Sequence, residues 1–403
     1  MNLIAKYLLG YLIVHILLIS MMQSIFCIEL KMIELGLIFS MLGVALLYPK
    51  KIILDKSDII IVFLLVFLNI YFTFYEQRGL IFFRMTFVLA LALLISKVIL
   101  PNVPTKKYLA KFNTIYLLVL IGLVIEYVAL VFFGQGIFLE LFNCHGEKTG
   151  VRGYIALYNV TKEILPYHIT GLNSIMMGGQ TASQLSIIIF VWCFYCYKDS
   201  EHRKYLALGL LAMMMLLLSP SLTSIFLLFI SLLTLYLIKL KDSFNEKIKN
   251  FYWAYFIIFI IVLSIYVIFK LLFFRYISLD FIYEEYILAN FIGFGYFDFK
   301  DILFGISVER EYELFGVGEI ALLNQLMKYG FLGTGVFYIS IFYYILRAIR
   351  YGFIKTLTPH IIILFIFILG NFHYAVMFNV GVMELFALHL AYVIYQGSHI
   401  KNN

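Results

Sequence analysis

The sequence predicts an all-α, polytopic integral membrane protein of about twelve transmembrane helices, and three observations carry that expectation. Of 403 residues, 64% are apolar and only 13% charged, where soluble domains show roughly 45–50% and 25%. Apolar runs long enough for a membrane helix, about 20 residues, recur from end to end. The basic residues between those runs are sorted by side. The same figures exclude a soluble globule, a disordered chain and a nucleic-acid binder. Phe and Tyr dominate, with 41 and 31 copies against two Trp.

In order, the runs place spans at 3–26, 32–48, 58–75, 80–99, 114–134, 178–197, 204–218, 221–238, 251–273, 320–346, 357–371 and 380–396. The first run lacks a small-residue cleavage site and reads as a span rather than a removed signal. Twelve spans put both termini on one side. With that side inside, the inner segments hold 19 of the 30 Lys and Arg but six of the 23 acidic residues. Every short inner loop obeys the positive-inside rule, giving an N-in, C-in orientation. The net charge of +7 is therefore a topology signal; no nucleic-acid motif accompanies it.

The chain reads as one membrane domain, 1–403, with two long outer segments at 135–177 and 274–319. Loops of that length are usually functional or disordered, and these are rich in Tyr, Phe, Ile and Gly, so they are expected to be ordered. Inner loops are too short for a catalytic domain, and no internal repeat is visible. Cys27, Cys144, Cys193 and Cys196 make no disulfide framework, and the Cys193-Cys196 pair lacks the further ligands of a zinc site.

Charge inside the hydrocarbon layer marks function or a buried pair. Arg84, Glu126, Glu319 and Glu384 all fall toward the outer ends of their spans. Arg84 can lock helices by pairing with Glu126, Glu76 or Glu384, or it can face a phosphate. His15 and His389 fall mid-span, as proton-relay groups or as hydrogen-bonded packing residues. The long segments offer Arg152, Lys162, His145 and His168, then Arg275 and Arg310. The planar fork of Arg suits a diphosphate, and carboxylates or His can take a proton from a sugar hydroxyl. Arg and Lys at such positions also serve as headgroup anchors. Glu309, Glu311 and Glu313 read as a solvated face, and the run Asp298–Asp301 makes a poor metal-diphosphate motif.

The stretch DILFGISVEREYELFGVGEIALLNQLMKYGFLGTGVFY resembles the second large periplasmic loop and following helix of bacterial O-antigen polymerases and the related O-antigen ligases. The glycine turn is Phe304-Gly305-Ile306, the closing G-x-x-G is Gly330-Phe331-Leu332-Gly333, and Glu319 stands eleven residues before Gly330. Ligases usually carry His-Asn there; Glu319-Ile320 favours a polymerase. The segment His168 to Asn173 resembles the family's R-x-x-G…N stretch without its arginine, leaving Arg152 upstream to serve. Ser219 to Ser224 resembles the family's S-x-S-R-T hairpin, with Leu222 in place of arginine.

The resemblance implies a GT-C-like, metal-independent, inverting glycosyltransferase without cofactors. It implies a multi-pass protein of the bacterial inner membrane with its active side periplasmic, working on undecaprenyl-diphosphate-linked glycans among membrane lipids. Glu319 is expected as the base or acceptor-positioning group, with His168 as the reserve base. Arg84, Arg152, Arg275 and Arg310 are expected to contact diphosphate or sugar acid. A chain-length regulator and a flippase are implied as partners. The other readings are a ligase and a lipid-linked oligosaccharide flippase. A flippase should carry charge at mid-depth and short loops on both sides.

Overall fold

The computed structural model describes residues 10, 43, 54–74, 79–141, 179–218, 227–233, 299–305, 321–350, 354–373, 377 and 382–399. Every regular element among them is helical. Helix α1 spans Lys56–Phe74 and starts at Asp55, whose backbone N–H donates to Asp58 Oδ2 at 3.0 Å. That is the return bond of a capping box. Helix α2, Gly79–Leu94, runs on through a wide turn at Ile95–Ile99 and a tight one at Leu100–Asn102. Pro101 has no N–H to continue the ladder.

Helix α3 spans Thr105–Leu141, about 55 Å of helix, and so extends into the segment 135–177. Helices α4, Gly179–Ser200, and α5, Arg203–Leu218, form a tight hairpin. Glu201 turns the corner at φ 53°, its N–H donating to Tyr197 O at 2.7 Å, a left-handed stop. A helical stretch follows at 227–233, then the short α6, Phe299–Phe304. Helix α7 spans Ala321–Arg350 and is broken at Gly330; α8 is Ile354–His373 and α9 is Val382–His399.

The core is assembled around α9, which packs on α2, α7 and α8. Its residues Val382 to Ile394 are all buried. Ala387, Ala391 and Gly397 keep the helix slim. A Cβ at Gly397 would lie 3.3 Å from Ala348 Cα, so α7 and α9 approach closely at that end. Small residues permit such approaches between membrane helices.

The twelve-span expectation is corrected. Among the described residues, four helical segments are long and apolar enough to cross a membrane: Lys56–Thr73, Arg84–Asn102, Thr105–Ile125 and Gln325–Arg350. With that count goes the parity argument that put both termini inside. The run 204–218 forms a helix of 16 residues, about 24 Å, against a hydrocarbon layer of about 30 Å. The apolar part of α8 is shorter still, Leu357–Asn371. Helix α4 carries Thr181, Ser183, Gln184 and Ser186 inward, and α9 carries Glu384 and His389, all buried. These polar groups dilute both runs and mark them as interior elements. The spans expected at 3–26 and 32–48, apart from residues 10 and 43, that at 251–273 and most of 221–238 lie outside the described residues.

The starts of α1 and the ends of α2, α7 and α9 meet at one end of the bundle. There Lys97 Nζ lies 3.0 Å from Asp58 Oδ2 and 3.9 Å from Asp55 Oδ2. Arg347 pairs with Asp55, and Tyr344 donates to Asp58 Oδ1 at 2.9 Å. Lys97 also donates to Ser398 Oγ at 3.3 Å. Asp58 is wholly buried. In the sequence Asp55, Asp58 and Lys97 count only among the charges of the inner segments; the fold draws them into one clamp.

Candidate functional site

The opposite end of the bundle gathers the end of α1, the whole of α6, the first half of α7, the end of α8 and the starts of α4 and α9. Along the chain, the first long segment leads into α4, and the second contains α6 and leads into α7. Its centre is the break in α7. Gly330 adopts φ 59° and ψ −173°, and Gly305, just past α6, adopts φ 89°. Both sit in the region that only glycine enters at little cost. A Cβ at Gly305 would overlap the backbone carbonyl of Lys328, and one at Gly330 would overlap that of Leu303. The two glycines are therefore one feature: the α6 turn crosses the α7 break, backbone against backbone.

Aromatic packing holds the crossing in place. Phe304 lies 4.9 Å from Tyr71, and Phe72 meets Tyr329 edge-to-face at 5.1 Å, ring centre to ring centre. Such pairs contribute about 0.5–1.5 kcal/mol each beyond burial. A Cβ at Gly333 would come 2.8 Å from Tyr329 Cβ and 3.0 Å from Phe72 Cε2. Both ends of the G-x-x-G motif thus serve close approach.

A polar network straddles the break. Across the break, the Gln325 carbonyl accepts from Thr334 Oγ1 at 2.9 Å. The Gln325 side chain accepts from Tyr338 OH at 3.1 Å, and Asn371 Nδ2 donates to that hydroxyl at 2.6 Å. Gln325 belongs to the first half of α7, Tyr338 to the second and Asn371 to α8. Gln184 of α4 lies against Gly370, where a Cβ would overlap its amide. Gln184 Oε1 and Asn371 Oδ1 are buried and accept no hydrogen bond among the described residues. Such acceptors cost about 1–3 kcal/mol each. Glu384, wholly buried, stands in the first turn of α9, where the helix dipole favours a carboxylate. The Phe367–Phe386 pair, 5.6 Å apart, sets Glu384 level with the end of α8.

Of the residues singled out in the sequence, Arg84 is half-buried in α2. Arg152, His168, Arg275, Arg310 and Glu319 lie outside the described residues, Glu319 two positions ahead of α7. His389 is a hydrogen-bonded core residue. Its Nε2 meets Tyr116 OH, and its Nδ1 lies 2.8 Å from His360 Nδ1 within a nest of aromatic rings. Sequence reasoning missed Gln184, Gln325, Tyr338 and Asn371. The signal was present in part: an amide inside an apolar run must find a hydrogen-bond partner or bear a cost of burial, though a smaller one than a charge bears.

Together the long apolar helices and the buried polar end define a helical, membrane-associated protein. Compared with protein-family models, with curated proteins and with solved structures, the chain matches none.

Proposed function

We propose that the chain is a membrane glycosyltransferase that polymerises lipid-diphosphate-linked oligosaccharide repeat units at the periplasmic face of a bacterial inner membrane. The observation that carries this reading is the crossing of the Gly305 turn over the Gly330 break. These are the two glycine motifs on which the resemblance to O-antigen polymerases rests, and they meet in space. A broken helix exposes helix ends and free carbonyls inside a bundle, the usual setting for polar chemistry at membrane depth. The buried amides and Glu384 beside it supply polar groups at that end of the bundle.

In the proposed reaction a hydroxyl oxygen of the acceptor repeat unit attacks the reducing-end anomeric carbon of the growing glycan from the face opposite the diphosphate. The bond from that carbon to the diphosphate oxygen breaks, and the configuration inverts. The lipid diphosphate leaves with the electron pair. The hydroxyl proton passes to the Glu319 carboxylate, with His168 as the reserve acceptor. Arg84, Arg152, Arg275 and Arg310 offset the charge that develops on the leaving group.

The test is the surface-glycan ladder of cells carrying Glu319→Gln or Glu319→Ala. At normal protein level both should collapse the ladder to a single repeat unit. A full ladder in both variants removes Glu319 from the chemistry. Deleting the gene separates the other activities. Long chains stranded on the carrier lipid mean a ligase, single units held at the inner leaflet mean a flippase, and an unchanged ladder sinks the reading.

A further inference from the structure

A cavity of about 120 Å³ lies between α3, α4 and α5, away from the α7 break. Its lining is graded. Leu120, Ile189 and Leu208 wall one end, and Asn113, Lys204 and Tyr205 stand at the other. The order follows from helix register. Asn113 is one turn nearer the start of α3 than Leu117, and Lys204 and Tyr205 occupy the first turn of α5, one turn short of Leu208. The polar end is organised: Asn113 accepts from Trp192 Nε1 at 2.7 Å and donates to Tyr205 OH at 3.3 Å. Lys204 Nζ lies 4.9 Å from the centre of the Tyr205 ring, its side chain exposed.

Tyr116 also lines the cavity, but its hydroxyl is engaged by His389. The ring, not the oxygen, is left to face the space. Toward the exterior, Leu117 belongs to the cavity wall and is 40% exposed. Ile121 and Leu210, on the same two helices, are more exposed still, at 44% and 62%. The slot therefore opens sideways onto an apolar surface and ends at a cation.

That pairing fits one kind of occupant. A purely apolar molecule leaves Lys204 unused, and a small anion leaves the leucine wall unused. We infer that the cavity holds a segment of one acyl chain of an anionic phospholipid from the surrounding bilayer, its phosphate on Lys204 and the Tyr205 hydroxyl. Lys111 of α3 and Arg203 of α5 are exposed at the same end and add to the attraction. Basic pockets between membrane helices recognise lipid headgroups in this way. The inference rests only on membrane association, so it stands or falls apart from the proposed glycosyl transfer.

The experiment places the full-length chain in bilayers of equal parts phosphatidylglycerol and phosphatidylcholine and counts retained lipids by native mass spectrometry. Wild type should retain phosphatidylglycerol above the bulk ratio. Lys204→Ala, at an exposed position that spares the fold, should lower that excess about fivefold, the worth of one cation near an anionic surface. Leu208→Trp, which fills the apolar end, should remove the excess altogether. Retention at the bulk ratio overturns the inference, as does an excess that survives Lys204→Ala. Displacement of phosphatidylglycerol by an equal amount of a polyprenyl phosphate also overturns it, because the slot would then belong to the carrier lipid.

Discussion

One end of the bundle is closed by charge, and the other is left polar without closure. At the clamp, two acids and two bases from the ends of three helices compensate one another, and Tyr344 and Ser398 add hydrogen bonds. At the break, backbones cross and amides gather, yet Gln184 Oε1 and Asn371 Oδ1 accept nothing among the described residues. A buried ion pair with its hydrogen bonds made is a finished structure. A buried acceptor left waiting is a cost that selection keeps only for a reason, a strain reservoir or a ligand among them. On the proposed function, the clamp is structure and the break is where chemistry belongs.

The largest expected effect tests the clamp. Lys97→Met leaves Asp58 buried without its cation, and breaking a buried pair from one side costs about 3–5 kcal/mol. Thermal unfolding of the purified protein should fall accordingly. Adding Asp58→Asn to Lys97→Met should recover most of the loss, because the uncompensated charge is then gone. A single variant as stable as wild type would mean that the clamp contributes nothing and that the contrast between the ends is false.

The next effect tests the crossing. Gly330→Ala forces a methyl group into the Leu303 carbonyl and a side chain into a left-handed backbone. A loss of about 3 kcal/mol is expected from strain and overlap, together with loss of the glycan ladder. Gly335→Ala is the internal control: a Cβ there meets nothing within 4 Å. That change should be neutral or stabilise by up to about 1 kcal/mol, as alanine favours helix over glycine. Equal losses at both positions would mean that α7 rejects any alanine and that the crossing is not special.

What the sequence could say of these two ends differs in kind. Gly305 and Gly330 stood out in the sequence only as motif glycines of the family resemblance; that their backbones cross was not legible, because a glycine does not name the segment it touches. The clamp did not stand out at all. Asp58 and Lys97 each look like an ordinary charge flanking an apolar run, and only the packing of α1 against α2 brings them together. The span count failed for a related reason. Hydropathy reports that a segment avoids water, and α9 avoids water by lying inside the bundle. Apolarity alone does not separate a helix wrapped in protein from one wrapped in lipid. Short α5 and polar-flecked α4 were miscounted on other grounds, length in the one and buried polar side chains in the other.

The smallest expected effect is the most discriminating. Gln184→Met keeps the length of the side chain and removes the waiting oxygen with the rest of the amide. If Gln184 only packs against Gly370, methionine should pack there as well, and removing an unsatisfied buried acceptor should raise stability by about 1 kcal/mol at most. If the amide serves a ligand, the same variant should be as stable as wild type or slightly more so, yet shorten the glycan ladder at unchanged protein level. Stability gained while function is lost is the behaviour of a site residue kept at a cost. A full ladder from the stabilised variant would make the break a second piece of core, and the search for chemistry would then move wholly to the two long segments.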